Sequence, residues 1–167
     1  MDAKRESEPG APNKATTVQR KSDRELVVTR TFDAPPRIVF DAWTKPELFQ
    51  RWWTPKSFGV VFLSCDLDVR AGGGYRLVMR HGDSKPMEFF GRYLEMTPPS
   101  RLVWTNDEAG DGGSITTVTF EEQNGKTLLV MHDLYPSKEA LDAAIASGST
   151  SGTSETFAQL DALLAAR

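Results

Sequence analysis

From Glu25 onward the apolar residues of the chain recur in two rhythms, one suited to strands and one to helices. Residues 25–33 (Glu-Leu-Val-Val-Thr-Arg-Thr-Phe-Asp) are a β-branched run of alternating polarity, which predicts a strand. Pro35 and Pro36 end it, and Pro36 suits the first position of a helix, where a missing N–H is no loss. Ile38, Val39, Ala42 and Trp43 give that helix an apolar face, and a second short helix near Lys45-Pro46-Glu47 carries Leu48, Phe49, Trp52 and Trp53. Beyond Thr54-Pro55 the pattern is that of strands at 58–68, 75–81, 86–96, 101–106, 114–122 and 126–134. Glycine, proline and polar turns divide them, and Asn124-Gly125 between two β-branched runs is a strong hairpin signal. Short connections imply antiparallel neighbours, so the element order predicts an α+β fold with a curved antiparallel sheet of about seven strands and two short helices after the first strand.

The helical rhythm returns at Ser137, an N-cap candidate, and continues through Leu141, Ala144, Ile145, Phe157, Leu160, Leu163 and Leu164. One long C-terminal helix is expected, with the sheet curled around it. Its centre breaks the pattern: residues 146–155 read Ala-Ser-Gly-Ser-Thr-Ser-Gly-Thr-Ser-Glu, without a large side chain. Each glycine costs about 1 kcal/mol in a helix interior. Such a stretch predicts either the floor of a pocket or a bend in the helix. Residues 1–22, in contrast, contain almost nothing large and apolar, and read as a disordered leader ahead of a domain at 23–167.

Composition narrows the function classes. The 167 residues are 39% hydrophobic, enough for one domain with a real core, and the formal net charge of −3 comes from interspersed charges without a basic stripe. Nucleic acid is therefore not an expected partner. One cysteine and two histidines leave no recognisable zinc spacing, and neither a metal nor a cofactor is expected. No apolar run is long enough for a membrane span, and no signal-peptide block stands at the N-terminus, so membrane insertion is not expected and a cytoplasmic location is. Gly72-Gly73-Gly74 precedes a strand and opens no helix, which removes the context for phosphate binding.

Several words of the sequence resemble the activator of heat-shock-protein-90 ATPase homologue-like family, within the START and birch-pollen-allergen superfamily. They are Val-Thr-Arg-Thr-Phe-Asp-Ala-Pro (28–35), Val-Phe-Asp-Ala-Trp-Thr-Lys-Pro-Glu (39–47), Trp-Trp-Thr-Pro-Lys (52–56), Asp-Val-Arg-Ala-Gly-Gly (68–73), Gly-Arg-Tyr-Leu-Glu (91–95), Pro-Pro-Ser-Arg-Leu-Val (98–103) and Ser-Glu-Thr-Phe (154–157). The resemblance implies a helix-grip fold, a sheet wrapped round a long C-terminal helix with a deep cavity between them. It also implies an apolar or aromatic small molecule in that cavity, or, as in some wider relatives, a cyclase, dehydratase or hydrolase. A co-chaperone-like interaction module with a chaperone partner is the third class, since the family is named after such a domain. Relatives commonly place a large residue before Ser-Glu-Thr, where this chain has Ser149, Thr150, Ser151 and Thr153.

The cavity wall expected from these readings comprises Tyr75, Leu77, Met79, Trp104, Val118, Phe120, Val130, His132, Gly152 and Phe157. Tyr75 and Trp104 sit mid-strand and bring a polar atom to a ligand. His132 shares alternation with Leu128, Val130 and Leu134, which predicts that it faces the apolar side and, in an enzyme, handles protons beside a carboxylate. Glu88, Glu95, Asp66, Asp68 and Asp133 are the strand carboxylates from which a base would be drawn. Trp52 and Trp53 are expected to anchor the short helix, with one able to line the entrance. Cys65 reads as a small buried apolar residue.

Overall fold

A computed structural model describes residues 16–107, 113–147 and 152–166. Eight strands form one antiparallel sheet: β1 (Thr17–Arg20), β2 (Glu25–Phe32), β3 (Val60–Leu67), β4 (Gly74–His81), β5 (Met87–Thr97), β6 (Arg101–Thr105), β7 (Ile115–Gln123) and β8 (Lys126–Leu134). Their order across the sheet is β1-β2-β8-β7-β6-β5-β4-β3, so the sheet is open, with β1 and β3 at its edges. The helices are α1 (Pro36–Thr44), α2 (Pro46–Phe49), α3 (Lys138–Ala146) and α4 (Thr153–Ala165).

The eighth strand corrects the expectation of about seven. Thr17–Arg20 falls inside the expected leader, yet pairs with Leu26 to Thr29 of β2. All four of its residues are exposed; backbone pairing and the Arg20–Asp142 ion pair at 2.7 Å hold it, and no apolar signal marks it. Residues 1–15 lie outside the described residues.

The expected single C-terminal helix is two helices. Ser137 caps α3, its Oγ accepting from Ala140 N–H at 3.0 Å, and Ser147 is the C-cap. The next helix starts after Gly152, whose φ of −90° and ψ of 1° are not helical. Residues 148–151, including Ser149, Thr150 and Ser151, lie outside the described residues.

The core lies between the sheet and α1, α2 and α4. Trp43 of α1 is its centre, with ring centroids 4.7 Å from Trp52, 6.0 Å from Trp104 and 6.2 Å from Phe157. From α4, Phe157, Leu160 and Leu164 are buried, and Phe157 packs edge-on against Phe32 of β2 at 5.6 Å. Arg30, also on the inward face of β2, sits 3.6 Å from Asp161 and donates to Thr16 Oγ1 at 2.9 Å. Burial pulls its guanidinium pKa down, against the opposing pull of Asp161. α3 is held more lightly, with Leu141 as its one buried residue. No helix among the described residues is long and apolar enough to cross a membrane.

Candidate functional site

The β7–β8 hairpin sets the geometry of the site. Asn124 and Gly125 adopt φ of 55° and 83°, the left-handed pair that a two-residue hairpin needs, and Gln123 pairs with Lys126. Counting back along the ladder, Phe120 pairs with Leu129, Val118 with Met131 and Thr116 with Asp133. Paired residues share a face. The inward set on β8 is therefore Thr127, Leu129, Met131 and Asp133, while Leu128, Val130, His132 and Leu134 take the other side.

Between this inward face and the C-terminal helices lies a cavity of about 680 Å³. Leu26, Val28, Trp104 and Met131 of the sheet form its back, and Ala140, Ala143 and Ala144 of α3 cover it with small side chains. Trp53, Pro55, Phe58, Gly152, Thr153, Thr156 and Phe157 form one end. That end is fastened by α4. Gln159 Nε2 donates to the carbonyls of Trp52 (3.1 Å) and Thr54 (2.8 Å), and its Oε1 accepts from Lys56 N–H (2.9 Å). Glu155 accepts from the Ser57 N–H (2.9 Å) and hydroxyl (2.5 Å), which holds its carboxyl below the usual glutamate range. Gly152 is required here by contact: a Cβ on it would lie 2.6 Å from Pro55 Cγ.

A smaller space of about 190 Å³ adjoins the first. It is lined by Trp43, Phe49, Leu67, Leu77, Met79, Phe89, Tyr75 and Tyr93, and shares Trp53, Trp104 and Asn106 with the larger cavity. The result is two chambers with a common wall, one strongly apolar and one with a polar strip.

The strip runs across strands. The Tyr75 hydroxyl donates to Thr105 O at 2.7 Å and lies 3.2 Å from Asn106 Oδ1. Asn106 Nδ2 is 3.1 Å from Ser114 O, Ser114 Oγ and Thr116 Oγ1. Thr116 in turn donates to Asp133 Oδ1 at 2.5 Å. Burial pushes the Asp133 carboxyl above the usual aspartate range, opposed first by the Thr116 hydrogen bond and then by the charge of His132. Tyr135 beside it is pushed up to about 12, by burial and then by the Asp133 charge.

Of the expected wall residues, Trp104, Gly152 and Phe157 line the larger chamber, and Tyr75, Leu77, Met79 and Trp104 the smaller. Val118 and Phe120 point inward but are sealed in the core, Phe120 against Phe40 at 5.3 Å. Val130 and His132 are displaced to the outer face, opposite Thr29 and Val27 of β2. His132 Nε2 lies 2.7 Å from Glu25 Oε2, and that hydrogen bond is the main reason the Glu25 carboxyl is held low. The reason for the displacement is that residues 128–131 (Leu-Leu-Val-Met) are apolar on both faces, so alternation within the strand does not choose a side. The hairpin register does, and placing Val118 and Phe120 inward already requires Leu129, Met131 and Asp133 there.

The other candidates resolve into structure. Trp52 is fully buried and donates from Nε1 to Ala42 O at 3.0 Å, leaving Trp53 to line both chambers. Asp68 pairs with Arg70 at 3.1 Å in the turn before β4, Glu88 with Arg76, and Glu95 with Arg101 at 3.1 Å, all at exposed positions. The half-buried Cys65 thiol is pushed up to about 11 by burial and then by Asp66, which suits an unreactive side chain. Among the described residues no group of three or more His, Cys, Asp or Glu is placed to hold a metal ion.

The family model described as Activator of Hsp90 ATPase homolog 1-like protein matches residues 33–165. Similar solved structures include a Rhodobacter sphaeroides protein (27% identity, 92% of this chain and 100% of that one, TM-score 0.85) and a Mycobacterium smegmatis protein (27%, 91% and 99%, TM-score 0.77). A Staphylococcus epidermidis protein is 28% identical over 89% of this chain and 93% of its own, with a TM-score of 0.75. No curated protein matches.

Proposed function

The chain belongs to the Activator of Hsp90 ATPase homolog 1-like family, and from that premise we propose that it binds a small, largely apolar molecule, aromatic or lipid-like, between the sheet and the C-terminal helices. The observation that carries this reading is the pair of adjoining chambers of about 680 and 190 Å³, with Trp53, Trp104 and Asn106 common to both. Small-molecule sites are typically about 300–1,000 Å³, mostly apolar, with a few convergent polar groups. Leu77, Met79, Trp43 and Phe89 supply an apolar pocket, and the strip from Asn106 to Asp133 supplies orientation.

Native mass spectrometry of freshly purified protein tests it. A fraction carrying an extra small-molecule mass, lost when a bulky residue is placed at Ala144 or Met79, is the expected result. Protein that retains nothing and takes up no member of a panel of small aromatics and lipids overturns it.

A catalytic use of the same cavity, for cyclisation, dehydration or hydrolysis, is favoured by one specific observation. Asp133 stands half-buried at the cavity wall, and desolvation there pushes its carboxyl up, the condition of a proton-transfer group. That role passes from His132, on the opposite face, to Asp133. Turnover abolished in Asp133→Asn and unchanged in His132→Ala is the expected pattern; the reverse pattern excludes it.

A further inference from the structure

The charges around the larger chamber are one-sided. Among the described residues, Asp133 and Tyr135 are the titratable side chains that line it, and no lysine, arginine or histidine lines either chamber. Thr116 takes one oxygen of Asp133, and the other has no partner among the described residues, nor does Asp133 form an ion pair there. His132, its neighbour in sequence, points away and is engaged by Glu25. The N-terminus of α4 at the far end of the chamber presents a positive helix dipole, and Glu155 in its first turn sets a carboxylate against it.

Once ionised, a half-buried carboxyl in a chamber lined by no cation among the described residues repels carboxylates and phosphates and attracts an ammonium group. Trp53, Trp104 and Phe58 also line the chamber, and an aromatic ring offers an apolar body a surface and, through its face, an attraction for a cation. We infer that the molecule held here is an amine with an aromatic or otherwise apolar body, its protonated nitrogen meeting the free oxygen of Asp133 and its body lying along Trp104 towards the smaller chamber. This rests on the cavity-binding reading and specifies its chemical class. Fatty acids and aryl carboxylates are thereby ranked last among candidate ligands. Burial of the Asp133 carboxyl, which holds it towards the neutral form in the empty protein, is offset when the ammonium arrives.

The test uses three probes of one shape, naphthylmethylamine, naphthylmethanol and naphthoate, titrated calorimetrically near neutral pH into the full chain and into Asp133→Asn. The amine is expected to bind roughly tenfold or more tighter than the alcohol, the scale of one charge-assisted hydrogen bond, and naphthoate weakest. In Asp133→Asn the amine loses its advantage over the alcohol. Naphthoate binding as well as the amine, or an amine indifferent to Asp133→Asn, overturns the inference. If the alcohol binds and the amine has no advantage, the amine class fails while the cavity reading survives. If none of the three binds the wild-type chain, both fall. The wild-type amine-to-naphthoate ratio decides the matter even where the variant does not fold.

Discussion

The two faces of β8 are the most instructive contrast in the molecule. The outer face carries Leu128, Val130, His132 and Leu134; the inner face carries Thr127, Leu129, Met131 and Asp133. Counted by side-chain polarity alone, the outer set is at least as apolar as the inner one. What decides is the register of the Asn124-Gly125 hairpin, which matches Leu129 and Met131 to Phe120 and Val118. The polar residues on the inner face are then individually accommodated. Thr127 is fully buried and donates to Ala34 O at 2.7 Å, and Asp133 ends the strip at the cavity. An apolar face is thus not the same thing as a buried face, and a buried polar group marks where the chain has something to hold.

The contrast breaks most visibly at Leu129. Because this side chain is fully buried, Leu129→Ala should cost about 2–5 kcal/mol in urea unfolding, whereas the adjacent Val130→Ala on the half-exposed face should cost less than about 1 kcal/mol. Equal losses would mean the register is wrong. Thr127→Val comes next: it keeps the shape but leaves the Ala34 carbonyl unpaired, and should cost about 1–3 kcal/mol by the same measurement.

Asp133→Asn should move stability the other way in ligand-free protein. A carboxyl whose folded pKa is raised binds more protons folded than unfolded, so stability falls as pH rises from the ordinary aspartate range through the folded value, and stays lowered above it. The asparagine can still accept from Thr116 and carries no charge, so a thermal melt near neutral pH should show a higher Tm than the wild type, and the fall in stability over that window should disappear. A lower Tm with an unchanged pH profile would place Asp133 in solvent. His132→Ala gives the smallest effect. The Glu25 carboxyl, held low chiefly by its hydrogen bond to His132, should titrate closer to the ordinary glutamate range in an NMR pH series. In the wild type this pairing favours the folded state above the unfolded pKa of Glu25, and the benefit is lost as pH falls through its lower folded value.

Much of this architecture is legible from residues alone. Pro36 opening α1, Ser137 capping α3, and the alternation that buries Leu77 and Met79 while exposing Arg76 all follow from local chemistry. At the larger chamber, Gly152 follows from the small-residue stretch, Phe157 from the Ser-Glu-Thr-Phe word and Trp104 from its mid-strand place. The strand at Thr17–Arg20 does not, because its four exposed side chains leave nothing for a hydrophobic pattern to show. Nor does the division of the C-terminal helix, since glycine lowers helix stability without fixing where a helix stops. The side taken by β8 is legible too, once the hairpin register is applied to Val118 and Phe120: it puts Asp133, and not His132, on the cavity side. The same register sets Thr116 opposite Asp133, but the rest of the strip, from Tyr75 through Asn106 to Thr116, joins residues of β4, β6 and β7, whose lateral order is a property of the sheet.

The central claim, that the inner face and not the outer one meets a ligand, is tested most directly by an NMR titration with naphthylmethylamine. Resonances of Trp53, Trp104, Met131 and Thr156 should shift together and saturate, while those of Leu128, Val130 and His132 remain in place. Saturable shifts confined to the outer face, or none on the inner face at millimolar probe, would contradict it.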